Sequence, residues 1–334
     1  MQREQWFHRA VIYQVDSSLF YDANGDGYGD LAGIRQKLHY IRSLGATVLW
    51  LTPFYLTPLQ DDGYDISDHL QPDPRFGTIA DVIELIARAR ELGLRVIVEL
   101  VIQHTSAQHP WFQAARRDPR SPWRPYYLWA DRPPEKDDPP MFPGVEESVW
   151  RWDEQAGQYY RHMFYRHEPD LNLAHPPVIA EIENIITFWL QAGVSGFRLD
   201  AASHLVKQAG KGDEARGYPL LTHLRQVVQR LNPEAILLGE VDVAVEDYRH
   251  YFGHGDRLQM VLNFWLNKYL YLSLAQQRAA PVVKALQAMV TPPDGCCFVN
   301  WLRNHDELDL EGIGERNKRQ VIRTFAPDKS MSVY

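Results

Sequence analysis

The chain has 334 residues, of which 45% are hydrophobic and 23% charged, the composition of a globular protein with a substantial core. A formal net charge of −8, with no Lys/Arg-rich run, argues against nucleic acid as a partner. Charges are interspersed through Met1–Val15 and no apolar run reaches bilayer length, so neither a secretory signal nor a membrane span is expected.

The first apolar run, 11–15, is a strand candidate. It leads into Asp22-Ala23-Asn24-Gly25-Asp26-Gly27-Tyr28-Gly29-Asp30. Oxygen-bearing side chains at alternate positions and a glycine at the sixth match the first half of an EF-hand loop, but the twelfth position is Gly33 rather than a bidentate Glu. The expectation is a structural Ca²⁺ loop of another kind, with Asp22, Asn24, Asp26, Tyr28 and Asp30 as the ligand set. An Asx-turn loop without metal is the alternative, since Asp, Asn and Gly favour turns in any case.

A repeating unit follows. A helical stretch at 31–44 precedes a strand at 47–51, and a helical stretch at 79–92 precedes a strand at 95–101. Strands alternating with helices of this length predict βα units and a parallel sheet. Residues 105–168 break the rhythm with Pro, Trp, Tyr and acidic residues, and 132–140 reads as an exposed loop. So long an irregular stretch inside an α/β pattern is expected to form a lid or subdomain. The rhythm resumes with helix 177–191, strand 196–200, helix 217–231 and strand 235–241. A helix within 244–252, strand 260–264, helix 265–288, strand 296–302 and a helical segment at 311–325 complete the chain.

The predicted fold is therefore a (β/α)8 TIM-type barrel stopping after its seventh strand. Its first part is 1–104, an inserted domain is 105–168, and its second part is 169–334. The eighth βα unit is missing from this count, and unpaired edges next to the first and seventh strands would make the polypeptide poorly soluble or weakly active. Cys296 and Cys297 are neighbours in an apolar run, where a buried free thiol pair is expected rather than a disulfide or metal site. A cytoplasmic location is the expectation.

Asp200, Glu240 and Asp306 fall at the C-terminal ends of three predicted strands, and His104 and His305 take equivalent positions. In a parallel barrel these ends converge on the face that carries active sites. Three carboxylates in one mouth repel, so at least one should hold a proton beside an ionised partner, the combination that glycosidic-bond chemistry uses. Arg198, two residues before Asp200, can hold that carboxylate ionised, although a structural ion pair would look the same in sequence.

These segments resemble glycoside hydrolase family 13, the α-amylase superfamily. The resemblance rests on Gly27-Tyr28-Gly29-Asp30-Leu31, Asp62-Gly63-Tyr64-Asp65-Ile66-Ser67-Asp68 and Val101-Ile102-Gln103-His104. It continues through Pro169-Asp170-Leu171-Asn172, Gly196-Phe197-Arg198-Leu199-Asp200-Ala201, Gly239-Glu240-Val241 and Asn304-His305-Asp306. The run Arg303–Leu308 and Phe325-Ala326-Pro327-Asp328 resemble the trehalose synthase-like branch. The resemblance implies Asp200 as nucleophile, Glu240 as general acid/base and Asp306 as the carboxylate that stabilises the transition state. It further implies His104 and His305 hydrogen-bonding the reacting glucose, Tyr64 stacking beneath it, and Arg198 orienting Asp200. Asp65, preceded by Gln60-Asp61-Asp62, resembles the residue that recognises the non-reducing end. His204 resembles an acceptor-side histidine, though Ser203 stands where the family usually has lysine.

Two residues depart from the family pattern: Glu99 replaces its usual Asp and Gln103 its usual Asn. Each adds a methylene beside the nucleophile strand or the hinge of the inserted domain, a change that costs about 1–3 kcal/mol in a packed site or shifts its geometry. The resulting expectation is a retaining α-glucosidic enzyme acting on a small carbohydrate (maltose, trehalose or a short α-glucan) with no organic cofactor. An α-glucosidase or amylase-type hydrolase, a truncated inactive homologue that binds sugar, and a general α/β binding protein are the alternatives.

Overall fold

The computed structural model describes residues 5–331; residues 1–4 and 332–334, the ends of the outer predicted segments, lie outside the described residues. Among the described residues seven strands form one parallel sheet in chain order: β1 (Ile12–Val15), β2 (Val48–Leu51), β3 (Arg95–Leu100), β4 (Gly196–Leu199), β5 (Ile236–Gly239), β6 (Met260–Leu262) and β7 (Cys297–Val299). The strands alternate faces. Val48, Trp50, Ile97, Ile236, Leu238, Met260 and Leu262 pack together with Phe7 as an inner core. Leu49, Leu51, Val96, Val98, Phe197, Leu199 and Leu237 face outward into a second core shared with the helices. Two buried faces explain why β2 and β5 read as continuous apolar runs rather than alternating ones, and β4 departs from this only at Arg198. The sheet curls: His305, beyond β7, lies 2.6 Å from Gln14 on β1, so the two edge strands look at each other across the mouth.

The helices begin and end where their sequences say. Asp30 caps helix Leu31–Ser43, and Thr78 with Asp81 forms a capping box on helix Ile79–Glu91. Helix Pro176–Ala192 stops at left-handed Gly193. Gly196 opens β4 with φ +151°, and a Cβ there would lie 2.4 Å from the Ile236 carbonyl oxygen. Only glycine allows β4 and β5 to approach so closely.

Two helical expectations change. The predicted helix 265–288 is two helices, Phe264–Gln276 and Ala280–Ala288, broken at Gln277 with φ +50°. Pro281 cannot continue the first helix, and the Val282 amide bonds to Ser273 Oγ instead. A helix at Ala202–Ala209, too short to show a period, precedes Glu214–Leu231.

Between β3 and β4 the chain forms helix Pro110–Arg117 and a three-stranded antiparallel sheet of Trp129–Ala130, Gln158–Arg161 and Trp150–Asp153. Backbone bridges His104–Asp170 and Tyr127–Leu171 join the start of this excursion to its return. Residues 131–137 are exposed. Among the described residues no helix is long and apolar enough to cross a membrane.

Candidate active site

The centre of the mouth is one guanidinium. Arg198 points inward from β4 and is 1% exposed. Its register neighbours are Glu99 on β3 and Leu238 on β5, which brings the end of each adjacent strand within reach. Arg198 Nη1 donates to Asp200 Oδ1 at 2.5 Å and to Glu99 Oε2 at 2.9 Å; Nη2 lies 2.9 Å from Glu240 Oε1. The Trp50 and Tyr64 rings flank it at 5.5 and 5.9 Å.

One cation against three carboxylates leaves an excess of negative charge in a buried place. Burial pushes Asp200 up to about 7, with Arg198 opposing and Glu240 and Glu99 adding to the rise. Glu99 is likewise pushed to about 7 by burial. The cluster therefore holds protons at neutral pH that isolated carboxylates would have lost.

The backbone turn after Asp200 fixes Glu240. Ala201 adopts a left-handed conformation with φ +44°, an uncommon state for a residue with a Cβ and one concentrated at functional sites. In that turn the Ala201 amide donates to Glu240 Oε2 at 2.7 Å, and the Ala202 amide to the Glu240 carbonyl at 2.9 Å.

Glu99 and Gln103 are accommodated differently. Glu99 is fully used: Oε1 accepts from Trp50 Nε1 at 2.7 Å and the Tyr64 hydroxyl at 3.2 Å, while Oε2 holds Arg198. Gln103 is also buried, but its side-chain oxygen has no hydrogen-bond partner, so the extra methylene is absorbed at position 99 and not at 103.

The remaining predicted residues ring this centre. His104 is buried, with Nε2 3.2 Å from the Tyr64 carbonyl and 3.7 Å from Glu168. His204 lies against Phe164, and burial lowers its pKa while the Glu240 charge opposes. Asp306 accepts from Asn304 Nδ2 at 2.6 Å and lies 3.3 Å from His305 Nε2. His305 stacks on Tyr64, ring centroids 5.3 Å apart and planes 9° from parallel. Both of its nitrogens meet protein, Nδ1 at Gln14 and Nε2 at the Tyr64 hydroxyl. In this conformation one face of Tyr64 is therefore covered and the imidazole is engaged, where the sequence reading had both presented to a sugar.

Asp65 is a correction. It is fully buried, and its oxygens accept from Thr57 Oγ1 at 2.8 Å and from the Gln60 and Asp61 amides at 3.0 and 3.2 Å. It shapes the loop and does not face the mouth. The half-buried carboxyl beside it, Asp61, sits next to His104 and Glu168. Asp61 was legible only as part of an acidic run, and Glu168 only as the residue before Pro169-Asp170-Leu171-Asn172.

Sequence reasoning also missed buried Lys268. Its Nζ contacts Asp309 and lies 3.5 Å from Asp242 and 3.1 Å from the Glu311 carbonyl. It thereby ties the end of β5, two residues past Glu240, to the segment carrying Asp306.

The 22–30 loop is held by its own backbone. Asp22 accepts from the Gly25 and Gly27 amides at 2.6 and 2.9 Å, Asn24 from Asp26, and Asp26 from Tyr28. Asp30 spends one oxygen on Gly33 and the other on Ala23. Among the described residues no three His, Cys, Asp or Glu side chains are placed to hold a metal. The loop's donors are nevertheless all hard oxygens, the chemistry Ca²⁺ takes, and an ionised Asp22 with two amide partners keeps acceptor capacity. The residues fit the ion only if Asn24 and backbone carbonyls share the coordination.

Carboxylates of separate strands gathered by a buried arginine at the C-terminal mouth of a curled parallel sheet define an enzyme of the α/β-barrel type. The catalytic-domain model of the alpha-amylase family matches residues 14–320, and the chain belongs to that family, glycoside hydrolase family 13. It is similar to a trehalose synthase of Thermus thermophilus, 41% identical over 98% of this chain and 34% of that protein. It is similar also to a trehalose synthase/amylase of Mycobacterium tuberculosis, 38% identical over 98% of this chain and 55% of that protein. A solved α-glucosyl transfer enzyme, XgtA, superposes with a TM-score of 0.76 and 32% identity, over 91% of this chain and 62% of that one. The chain thus spans between a third and just over half the length of the curated relatives described.

Proposed function

We propose that this chain carries the glucosyl-transfer site of a trehalose synthase-like enzyme that interconverts maltose and trehalose with retention of configuration. The observation that carries the reading is the single Arg198 guanidinium contacting both Asp200 and Glu240. The two carboxyl groups lie on one side of one mouth, separated by no more than that fork and its hydrogen bonds, as attack and proton donation at one glycosidic bond require. The trehalose synthase relatives supply the substrate class.

In the first step an Asp200 carboxylate oxygen attacks the anomeric carbon. The protonated Glu240 carboxyl gives its proton to the departing glycosidic oxygen, so glucose leaves neutral and a glucosyl ester remains on Asp200. In the second step Glu240, now ionised, takes the proton of the 1-hydroxyl of that glucose, whose oxygen displaces Asp200 and gives trehalose. Arg198 offsets the charge on Asp200 when the ester breaks, and Asp306 faces the oxocarbenium-like centre from across the mouth. Ca²⁺ would be held by Asp22, Asn24 and Asp26 with the Tyr28 carbonyl, where it would brace the loop and take no part in the chemistry. The free thiols of Cys296 and Cys297 fit a reducing cytoplasm.

Product analysis on maltose tests the reading. Trehalose formed with little free glucose supports transfer, and loss of the product with Asp200→Asn assigns the nucleophile. Glucose as the sole product replaces transfer with hydrolysis. Activity unchanged in Asp200→Asn overturns the site.

A further inference from the structure

At the end of the sheet opposite the mouth, helix Glu214–Leu231 brings Arg225 beneath the starts of β5, β6 and β7. Arg225 is 9% exposed and borders a cavity of about 100 Å³, whose walls include Phe7, Ala235, Gly255, Gln259 and Gly295. Among the described residues its guanidinium has no ionic partner. With the Gln229 amide oxygen facing them, Nε and Nη2 donate to it at 3.3 and 3.1 Å. Nη1 has no hydrogen-bond partner. Gln259 cannot serve as one, because its Oε1 accepts from the Leu237 amide at 2.9 Å and its Nε2 donates to the Ala235 carbonyl at 3.1 Å.

The acidic groups nearby are turned elsewhere or stay neutral. Glu234 reaches Arg95 at 3.2 Å with its side chain 64% exposed, and Asp256 and Asp294 are exposed, Asp256 accepting from the His254 amide at 3.0 Å. Cys296 Sγ lies 3.5 Å from the Leu258 carbonyl, and burial raises its pKa, so it remains a thiol. Burial lowers Arg225 only to about 10, and the guanidinium stays charged at neutral pH. A buried charge without a counter-charge is costly. We propose that a small monovalent inorganic anion, chloride in ordinary solution, occupies this cavity as the counter-ion of Arg225 and ties the helix to the floor of the sheet. The cavity has room for one such ion with part of its hydration, a water's share of liquid volume being about 30 Å³. A dianion would outweigh the single guanidinium, with Glu234 and Asp294 at the rim to repel it. The site is at the far end of the strands from Asp200 and Glu240, so it acts on stability, whatever chemistry the mouth performs.

Thermal unfolding at constant sodium and ionic strength tests the site without any substrate. Replacing gluconate, too large for the cavity, by chloride or bromide should raise the unfolding temperature of the native protein by about 2–4 °C and then level off. Arg225→Gln and Arg225→Met should lose this saturable rise. Sulfate, which stabilises folded proteins by exclusion from their surface, should act on native and variant proteins alike. Bromide anomalous scattering from crystals of the native protein locates the ion even where no variant folds, and a peak beside Arg225 at the bromide concentration that saturates the thermal shift is expected. An unfolding temperature indifferent to the exchange of gluconate for chloride overturns the proposal, as does a saturable rise that persists in a folded Arg225 variant. No bromide peak at Arg225 overturns it too, and a peak without the thermal shift would mean an adventitious ion only.

Discussion

His305 lies flat on Tyr64, with its Nε2 2.7 Å from the Tyr64 hydroxyl and its Nδ1 2.6 Å from Gln14. A sugar ring that stacks on this face of Tyr64 must displace the imidazole. Burial pushes His305 down to about 4, with the Arg198 charge acting in the same direction, so the ring is neutral throughout pH 5–8. Its NMR resonances should therefore be flat across that range and should move on addition of maltose. A midpoint above pH 6, or no response to a sugar that binds, would contradict the stacked arrangement. Tyr64→Ala should raise KM about tenfold, the equivalent of about 1.4 kcal/mol of lost ring contact.

Asp200 sets the acid side of the pH profile. A nucleophile must be ionised, and burial among carboxylates holds Asp200 at about 7. The value of kcat/KM should climb with pH through about 7 and level above it. Glu240→Gln should lower kcat by about 10²–10⁴-fold. Stability runs the other way. Asp200 and Glu99 titrate higher in the fold than their ordinary values of 3.8 and 4.5. Between about pH 4 and 7 the folded state binds protons that the unfolded chain has released. Stability contributed by these groups is complete below that window and is lost as pH rises through it. Urea midpoints that increase between pH 5 and 7 in native protein, but not in a Glu99→Gln, Asp200→Asn double variant, would refute this account.

Much of this architecture was readable because barrel strands with two buried faces are plain apolar runs. Trp50 and Leu51, for example, serve opposite cores while looking alike in sequence. The acids at strand ends were legible for the same reason, since a charge closing such a run has few places to go. What stayed hidden depends on contacts between segments far apart in the chain. Ala201 gives no local sign of a positive φ, because the turn is imposed by the Glu240 carboxylate that its amide meets. Asp65 looked functional because sequence cannot show that Thr57 and two loop amides already hold its oxygens. Glu168 and Lys268 are single charges in ordinary surroundings until folding buries them beside Asp61 and Asp309. The break at Gln277 was signalled by Pro281, and the apolar residues on either side masked it.

Lys268 should matter more to the mouth than its distance from Glu240 suggests. It contacts Asp309 and faces Asp242, whose pKa burial raises to about 6 with the lysine opposing. Lys268→Met leaves the two aspartates facing each other without a cation. Complete burial of such a break costs about 3–5 kcal/mol, but Asp242 is 41% exposed, which reduces the expected loss to about 1–3 kcal/mol in urea unfolding. Because the bridge joins the end of β5 to the Asp306 segment, kcat should fall more than KM rises, and Lys268→Arg should restore part of it. Unchanged kcat in a destabilised Lys268→Met protein would reduce the bridge to a structural one.

The 22–30 loop makes the last prediction. Its turns are closed by Asp22, Asn24 and Asp26 on their own backbone amides, and these amides hold the Asp22 carboxyl below its usual range. An ionised, exposed Asp22 beside further oxygen donors suits a hard cation, while Asp30 is committed to capping helix Leu31–Ser43. A ligand that binds only the folded state stabilises it by about 2.7 kcal/mol at a free concentration a hundredfold above its Kd. Added Ca²⁺ should therefore raise the unfolding temperature in a saturable way, a chelator should reverse the rise, and Mg²⁺, which demands a tighter octahedral shell, should do less. Asp22→Asn should abolish the Ca²⁺ response while leaving the metal-free unfolding temperature within a degree or two, because the amide oxygen can still accept from Gly25 or Gly27. An unfolding temperature indifferent to Ca²⁺ and chelator in the native protein would make the loop a set of Asx turns that needs no ion.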